Sequence, residues 1–466
     1  MSIESRFFGS LVYPAYHALK RDGVNSSIGE YERVQWLGAN ELRKLEQSRL
    51  AALLDHAIRN VPFYRERYGT RDITQFAPLM KADIRGNLKK LLADGVQSEG
   101  LQWNTTSGST GEPLYFYMDP KSDTSRKATV VRNKRWMGIS PGDRELLLWG
   151  SPIDASRAAL LRGRVHAWLA RTRLVSAYDL SQARMQECIE QIHTYKPKLI
   201  VAYPSVLEEL ARAMQESSRR PSSVRAILVS AETLYPHQRA LFESVFDAPV
   251  YNRYGCREVG DIAQECPQHQ GLHINSDRVL VEVVRDDLSP CAPGEIGNVL
   301  VTDLDNRAMP LIRYFITDRA ALAAPGECGC GRALPRLEVV EGRTLDVVRF
   351  PNGSAVGGTY WTILLRRRPG KREFHGMDQF QIVQQRQDEV LIRYVAEAPV
   401  SAAAADAIRK QVAQQAGPAF GVRFEQVTHI PVNVAGKKRI VVSEISTGVA
   451  VPVREERAPI TEEEEH

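Results

Sequence analysis

Lys198–Tyr203 (KLIVAY), Val224–Val229 (VRAILV) and Ala248–Arg253 (APVYNR) are three mainly apolar runs, separated by the helical stretches Ser205–Met214 and His237–Phe246. Short apolar runs without strict alternation suit strands buried on both faces. Such strands alternating with helices predict an α/β fold with a parallel sheet covered on both sides. Ligands of such sheets gather beyond the carboxyl ends of the strands. Ser230-Ala231-Glu232 follows one run and Tyr254–Glu258 follows the next, so both are candidate site segments.

Outward from this centre, Glu145–Trp149 (ELLLW) reads as a further buried strand. Between Asp277 and Thr302, RVLVEVV and GNVLVT flank a Pro/Gly turn and predict antiparallel strands. After Gly342-Arg343 the pattern restarts as a smaller unit, with strands at Phe380–Gln384 and Val390–Tyr394 and a helix over Ala403–Gln415. Toward the N-terminus, Leu42, Leu45, Leu50, Leu53, Leu54, Ala57 and Ile58 recur at helical spacing, and Val61-Pro62 ends that helix. The final TEEEEH reads as a solvated, disordered acidic end.

Bulk properties narrow the class. The 466 residues are 43% hydrophobic and 25% charged, with a formal net charge of +5. That small excess shows no basic stripe for nucleic acid. No apolar run reaches the length of a membrane span, and the first residues lack the basic start and cleavage site of a signal peptide. Six cysteines are too few for a disulfide scaffold, and five of them fall between Cys256 and Cys330. The expectation is a cytoplasmic enzyme.

Thr105–Pro113 reads TTSGSTGEP. Its glycines let backbone N–H groups turn toward an anion, and its hydroxyls add donors, which makes a phosphate cradle. No Gly-Lys-Ser/Thr follows, so it is not a Walker A loop. Taken alone, the stretch reads more readily as a flexible Ser/Gly loop.

Four further motifs accompany it in order. They are Tyr254-Gly255-Cys256-Arg257-Glu258, Ala308-Met309-Pro310-Leu311-Ile312-Arg313-Tyr314 running to Asp318, Gly342-Arg343-Thr344-Leu345-Asp346, and Gly436-Lys437. Together the five resemble the adenylate-forming (ANL) superfamily, and within it the phenylacetate–CoA ligase family and its CapK-like branch. The resemblance implies a large N-terminal domain with parallel sheets covered by helices, at 1–344. A small, mobile α+β lid at 345–455 and the acidic tail at 456–466 complete the expected organisation.

The resemblance also implies roles. Thr106, Ser107, Gly108, Ser109, Thr110 and Gly111 would cradle the phosphates of ATP. Ser230, Ala231, Glu232, Asn252, Tyr254 and Gly255 would line the adenine, with Tyr254 stacked on it. Asp318, with Arg343 nearby, would accept the ribose hydroxyls. Glu258 would help hold Mg²⁺, a hard cation that prefers oxygen. Lys437, with Lys438 as its rival, would stabilise charge developing between the substrate carboxylate and the α-phosphate. Asp346 would be the hinge.

Cys266-x₆-His273 and Cys328-x-Cys330 form a second constellation. Three thiolates and an imidazole suit tetrahedral Zn²⁺, and a site filled by four protein ligands is structural. His269 is the competing ligand. Three departures from the family pattern stand out: Arg257 where Thr or Ser is usual, Thr317 in place of glycine before Asp318, and VVRFPNG over Val347–Gly353.

The implied reaction is ATP-dependent activation of a small-molecule carboxylic acid to its adenylate, with transfer to coenzyme A. Transfer to a carrier protein or an amine in surface-polysaccharide assembly is the alternative. A non-catalytic nucleotide-binding relative is the alternative of another class. The acid is not named by the sequence, and a homodimer is left open.

Overall fold

A two-stranded ribbon of β1 (Gln102–Thr105) and β2 (Tyr115–Met118) leads into one mixed sheet of eleven strands. These are β3 (Glu145–Trp149), β4 (Thr172–Ser176), β5 (Leu199–Ala202), β6 (Ala226–Ser230), β7 (Val250–Cys256), β8 (Gly260–Glu265), β9 (Leu272–Ile274), β10 (Val279–Val284), β11 (Gly297–Asp303), β12 (Tyr314–Leu322) and β13 (Arg336–Arg343). Their spatial order is β10-β11-β12-β13-β9-β8-β7-β6-β5-β3-β4. This computed structural model describes residues 3–105, 114–149, 165, 167–176, 182–217, 220–343, 347–352, 355–357, 361, 364–365, 377, 379–396, 398–430, 439–443 and 445.

β4, β3, β5, β6 and β7 run parallel, as the apolar runs predict. Every residue of β5 and β6 is buried, because both faces are covered. Ile200, Ala202, Ile227 and Val229 face one cluster, and Leu199, Val201, Ala226 and Leu228 face another. The first cluster is closed by helices that the apolar spacing turns inward: α5 (Gln182–Tyr195), α6 (Pro204–Ser217) and α7 (Pro236–Phe246) supply Ile189, Leu207, Leu210 and Phe242. Each such side chain removed from water contributes about 1.5–3 kcal/mol before chain entropy is set against it.

From β7 onward the pairing is antiparallel, a wider antiparallel half than the two segments read from the sequence. Its core takes in α2 (Ala39–Asn60), which follows α1 (Val24–Val34) and packs Leu53, Leu54 and Ala57 against Val279, Val299, Val301 and Tyr314. α2 starts where Glu41 accepts the Gly38 N–H at 3.0 Å, and it ends at extended Val61 before Pro62. The short α3 (Lys81–Gly86) and the long α4 (Pro120–Trp136) lie along the same half. α4 begins at Asp119, whose side chain accepts the Ser122 N–H at 2.7 Å, with Pro120 at the first turn.

α4 is polar yet buried, because it carries a charged network. Arg132, wholly buried, donates to Asp277 and, at 2.5 Å, to Asn275. A buried charge is tolerated only when paired in this way.

After β13 the chain leaves this sheet. β14 (Val347–Arg349) and β15 (Ala355–Gly357) make a separate ribbon. β16 (Gln379–Arg386), β17 (Glu389–Val395), β18 (Gly421–Gln426) and β19 (Val441–Ser443) form a four-stranded sheet in the order β18-β17-β16-β19. α8 (Ala402–Ala416) covers it with Ile408 and Val412 over Ile382, Val390 and Ile392. The whole is an α/β fold, a large mixed sheet covered by helices followed by a smaller C-terminal sheet and its helix. No described helix is long and apolar enough to cross a membrane.

Candidate active site and the cysteine–histidine centre

β7 ends at Tyr254-Gly255-Cys256, turns through Arg257-Glu258-Val259 and returns as β8. The turn admits only glycine at its neck, since a Cβ on Gly255 would stand 2.5 Å from the carbonyl oxygen of Gly260. Arg126 of α4 braces it. Its guanidinium donates to the carbonyl oxygens of Arg257 (3.2 Å) and Glu258, and to Asp303 Oδ2 at 3.1 Å. Arg278 donates to the carbonyls of Val259 and Asp261 at 2.8 and 2.9 Å. Four charge-assisted bonds thus hold the turn and the start of β8, and the fifth ties Arg126 to Asp303.

The Glu258 carboxylate is 4% exposed. Its Oε1 accepts the Tyr314 hydroxyl at 2.7 Å and lies 3.9 Å from Lys81 Nζ. Its second oxygen makes no bond among the described residues. Burial, followed by the Glu258 charge, pushes the Tyr314 phenol well above its usual range, so it stays a donor. Lys81 and Arg126 carry no motif in the sequence. Only the fold brings them to Glu258.

Tyr254 is nearly buried, and its hydroxyl donates to Asp318 Oδ2 at 2.8 Å. Asp318 is directly opposite Arg343 in the β12–β13 pairing. Thr317 before it has φ +73, the left-handed conformation a glycine takes freely and a β-branched residue takes at a cost of about 1–2 kcal/mol. The replacement therefore keeps the backbone turn at Asp318 and stores strain in it. Arg313 of the same motif has a different job: buried, it pairs with Glu282 at 3.1 Å and donates to the Phe76 carbonyl at 2.8 Å.

On the neighbouring strand ends, Ser230 donates to the Arg253 carbonyl at 2.9 Å, and Ala231 sits at φ +71. Glu232 accepts both the N–H (2.9 Å) and the hydroxyl (3.0 Å) of Ser205 at the start of α6. The Asn252 N–H donates to Glu265. Thr106, Ser107, Gly108, Ser109, Thr110, Gly111, Asp346 and Lys437 lie outside the described residues. The structure thus brings Tyr254, Asp318, Glu258 and Tyr314 to one end of β7. A flat ring, an acceptor for hydroxyls and a carboxylate oxygen open to a cation suit a nucleotide with its metal.

The second constellation also converges. The ligand atoms of Cys266, His273, Cys328 and Cys330 all lie within 4.8 Å of one another. Cys266 Sγ and Cys328 Sγ are 3.6 Å apart, and Cys330 Sγ is 3.3 Å from His273 Nε2. Metal–sulfur bonds of about 2.3 Å in a tetrahedron require sulfurs about 3.8 Å apart. The spacing therefore fits zinc, and it is far longer than a disulfide of about 2.05 Å. His273 Nδ1 is 3.1 Å from the Leu334 carbonyl, which fixes the tautomer and leaves Nε2 as the ligand atom. Burial lowers His273 to about 4, so the imidazole is neutral. His269 is turned elsewhere, toward Glu265 and Arg239 at 3.2 Å each. Around the centre, Leu42, Trp136 and Leu334 form an apolar shell.

Residues 101–303 match the family model described as AMP-binding enzyme, and residues 371–444 match the CapK C-terminal domain. The chain is 26% identical to the phenylacetate–coenzyme A ligase of Thermus thermophilus over 333 residues, 68% of this chain and 73% of that one. Likeness to the phenylacetate–coenzyme A ligase of Escherichia coli is also 26%, over 68% of this chain and 74% of that one. Among solved structures, a 2-hydroxyisobutyryl-CoA ligase in the postadenylation state superposes with a TM-score of 0.69 at 19% identity, covering 90% of this chain and 93% of that chain. At that identity the likeness is one of fold. With an AMP-binding enzyme domain followed by a CapK C-terminal domain, the chain carries both domains expected of a CapK-like adenylate-forming protein, and the curated proteins it resembles are phenylacetate–coenzyme A ligases.

Proposed function

We propose that the chain is an acid–CoA ligase that activates a carboxylic acid as its acyl-adenylate and passes the acyl group to coenzyme A. The observation that carries this reading is the pairing of Tyr254 with Asp318 beside the buried Glu258–Tyr314 pair. In it, Asp318 accepts the two ribose hydroxyls, Tyr254 supports the adenine, and Arg343 lies at the ribose edge. Tyr254's hydrogen bond holds the Asp318 carboxylate in place before nucleotide arrives, which lowers the ordering cost of binding.

Glu258 is the residue to hold Mg²⁺, which when bound neutralises phosphate charge. The Tyr314 hydroxyl fixes one carboxylate oxygen and leaves the other to coordinate. The turn braced by Arg126 keeps that oxygen where it is needed. The hydroxyls and backbone of Thr106–Gly111 receive the phosphates. Lys437 approaches from the C-terminal domain to stabilise the charge that develops as carboxylate attacks the α-phosphate. The large domain runs to 344, the lid from 345 to 455, and Asp346 is the hinge about which the lid turns between the two half-reactions. Cys266, His273, Cys328 and Cys330 hold a structural Zn²⁺, a crosslink between β8, β9 and the segment before β13.

A test of the acceptor is direct. Purified protein with ATP, Mg²⁺ and a panel of aryl, acyl, amino and sugar acids is assayed for AMP release with and without coenzyme A. AMP and acyl-CoA formed together support the reading. AMP release that depends on an amine or a carrier protein, and not on coenzyme A, assigns the acceptor differently.

A further inference from the structure

On the far side of the Asp318 strand, a polar cleft of about 200 Å³ opens among Arg285, Asp286, Ile296, Asn298, Arg319 and Arg349. Its three arginines are not equivalent. Arg285 is neutralised by Glu295, with Nε and Nη2 at 2.6 and 2.5 Å from the carboxylate. Asp286 is occupied by the Asn298 amide at 2.9 Å. Arg319 has one long bond, 3.4 Å to the Ile296 carbonyl, and no carboxylate partner among the described residues.

Arg349 is placed with more care. Its N–H donates to Gln384 Oε1 at 2.9 Å and its carbonyl accepts from Gln384 Nε2 at 2.7 Å, a clamp made by a wholly buried side chain of β16. Yet its Nε is itself buried and has no hydrogen-bond partner among the described residues. A fixed backbone carrying a buried, unmatched guanidinium donor is costly unless a partner arrives. Arg319 adds a second guanidinium with no ion-pair partner among the described residues to the same cleft, where the two outweigh the single negative charge of Asp286.

We propose that this cleft binds a phosphoryl group, held between Arg319 and Arg349. A tetrahedral dianion has oxygens enough for two guanidinium forks, whereas a carboxylate matches only one. Arg319 lies on β12, before residues 344–346, and Arg349 lies on β14, after them. A phosphoryl group in the cleft therefore ties the large sheet to the first strand of the C-terminal part, and its binding stabilises that arrangement over others. The inference goes beyond the proposed ligase reaction and does not depend on which acid or acceptor it uses.

Calorimetric titration of the full chain at fixed ionic strength tests it, with inorganic phosphate and adenosine 3′,5′-bisphosphate as probes. A saturable component is expected in the parent that is weakened about tenfold or more in both Arg319→Gln and Arg349→Gln, while any binding at the proposed nucleotide site is unchanged by them. Arg285→Gln, whose charge is already neutralised, is expected to change it far less. Equal affinity for both probes marks a site for free phosphate, and tighter binding of the bisphosphate marks phosphate carried on a nucleotide. Both support the proposal. If Arg349→Gln does not fold, Arg349→Lys, which keeps the charge and loses the fork, takes its place with the same expected weakening. Absence of saturable binding to the folded parent, or affinities unchanged in the variants, overturns it.

Discussion

Tyr254 on β7 donates a 2.8 Å hydrogen bond to Asp318 on β12, across 64 residues of chain. In the order of the sheet these strands stand four places apart. In a flat sheet four spacings would separate them by about 19 Å, far beyond the reach of a tyrosine. The antiparallel half must therefore curl back toward β7, and the contact of Tyr314 on β12 with Glu258 records the same closure. The candidate site sits in that curl.

Asp318→Asn keeps the shape and removes the charge that accepts hydroxyl donors. The KM for ATP is expected to rise about tenfold or more, since a charged acceptor is lost. Tyr254→Phe removes one neutral donor and is expected to raise it about fivefold. Steady-state kinetics at saturating acid reads both.

Glu258→Gln is expected to lower carboxylate-dependent turnover by about a hundredfold or more. The variant's melting temperature separates this from unfolding, because the side chain is buried. Tyr314→Phe, which frees the carboxylate without removing it, is expected to lose activity more mildly and to need more Mg²⁺ for half-maximal rate.

The parallel half of this fold was legible because Leu199–Ala202 and Ala226–Val229 are buried on both faces, and such strands are apolar throughout. The antiparallel half was legible only in part. β9 has three residues, and β12 and β13 shift register where they pair, so neither shows a clean period. Motifs exposed Tyr254, Glu258 and Asp318. Lys81 and Arg126 stayed hidden, because their partners lie more than a hundred residues away and meet them only after the sheet curls. Cys266 and Cys328, 62 residues apart, were by contrast legible as parts of one constellation with His273 and Cys330. There Cys-x-Cys hinted at a metal, while the choice of His273 over His269 rests on the geometry that turns His269 to Glu265.

One equivalent of zinc per chain is expected by elemental analysis of protein purified without chelator. Cys266→Ser and Cys328→Ser are each expected to lose it and to lower the unfolding temperature, because a metal held there would crosslink three segments. His269→Ala is expected to keep it.

Glu46 on α2 is lifted to about 7 by burial, partly opposed by Arg43. Between about pH 4.5 and 7 the folded chain retains a proton that the unfolded chain has released, so stability falls as pH rises through that window. Glu46→Gln is expected to remove this loss, with a gain on the order of 1 kcal/mol at pH 8 and little change at pH 4.5, after allowance for partial solvent screening. Urea unfolding at the two pH values measures it.

The most direct measurement is carboxylate-dependent exchange of pyrophosphate into ATP across the acid panel, with Glu258→Gln and Lys437→Ala alongside the parent. Exchange is expected with one class of acid, reduced about a hundredfold or more in each variant. Exchange that persists undiminished in folded Glu258→Gln, or no exchange with any acid by a parent that binds ATP, would contradict it.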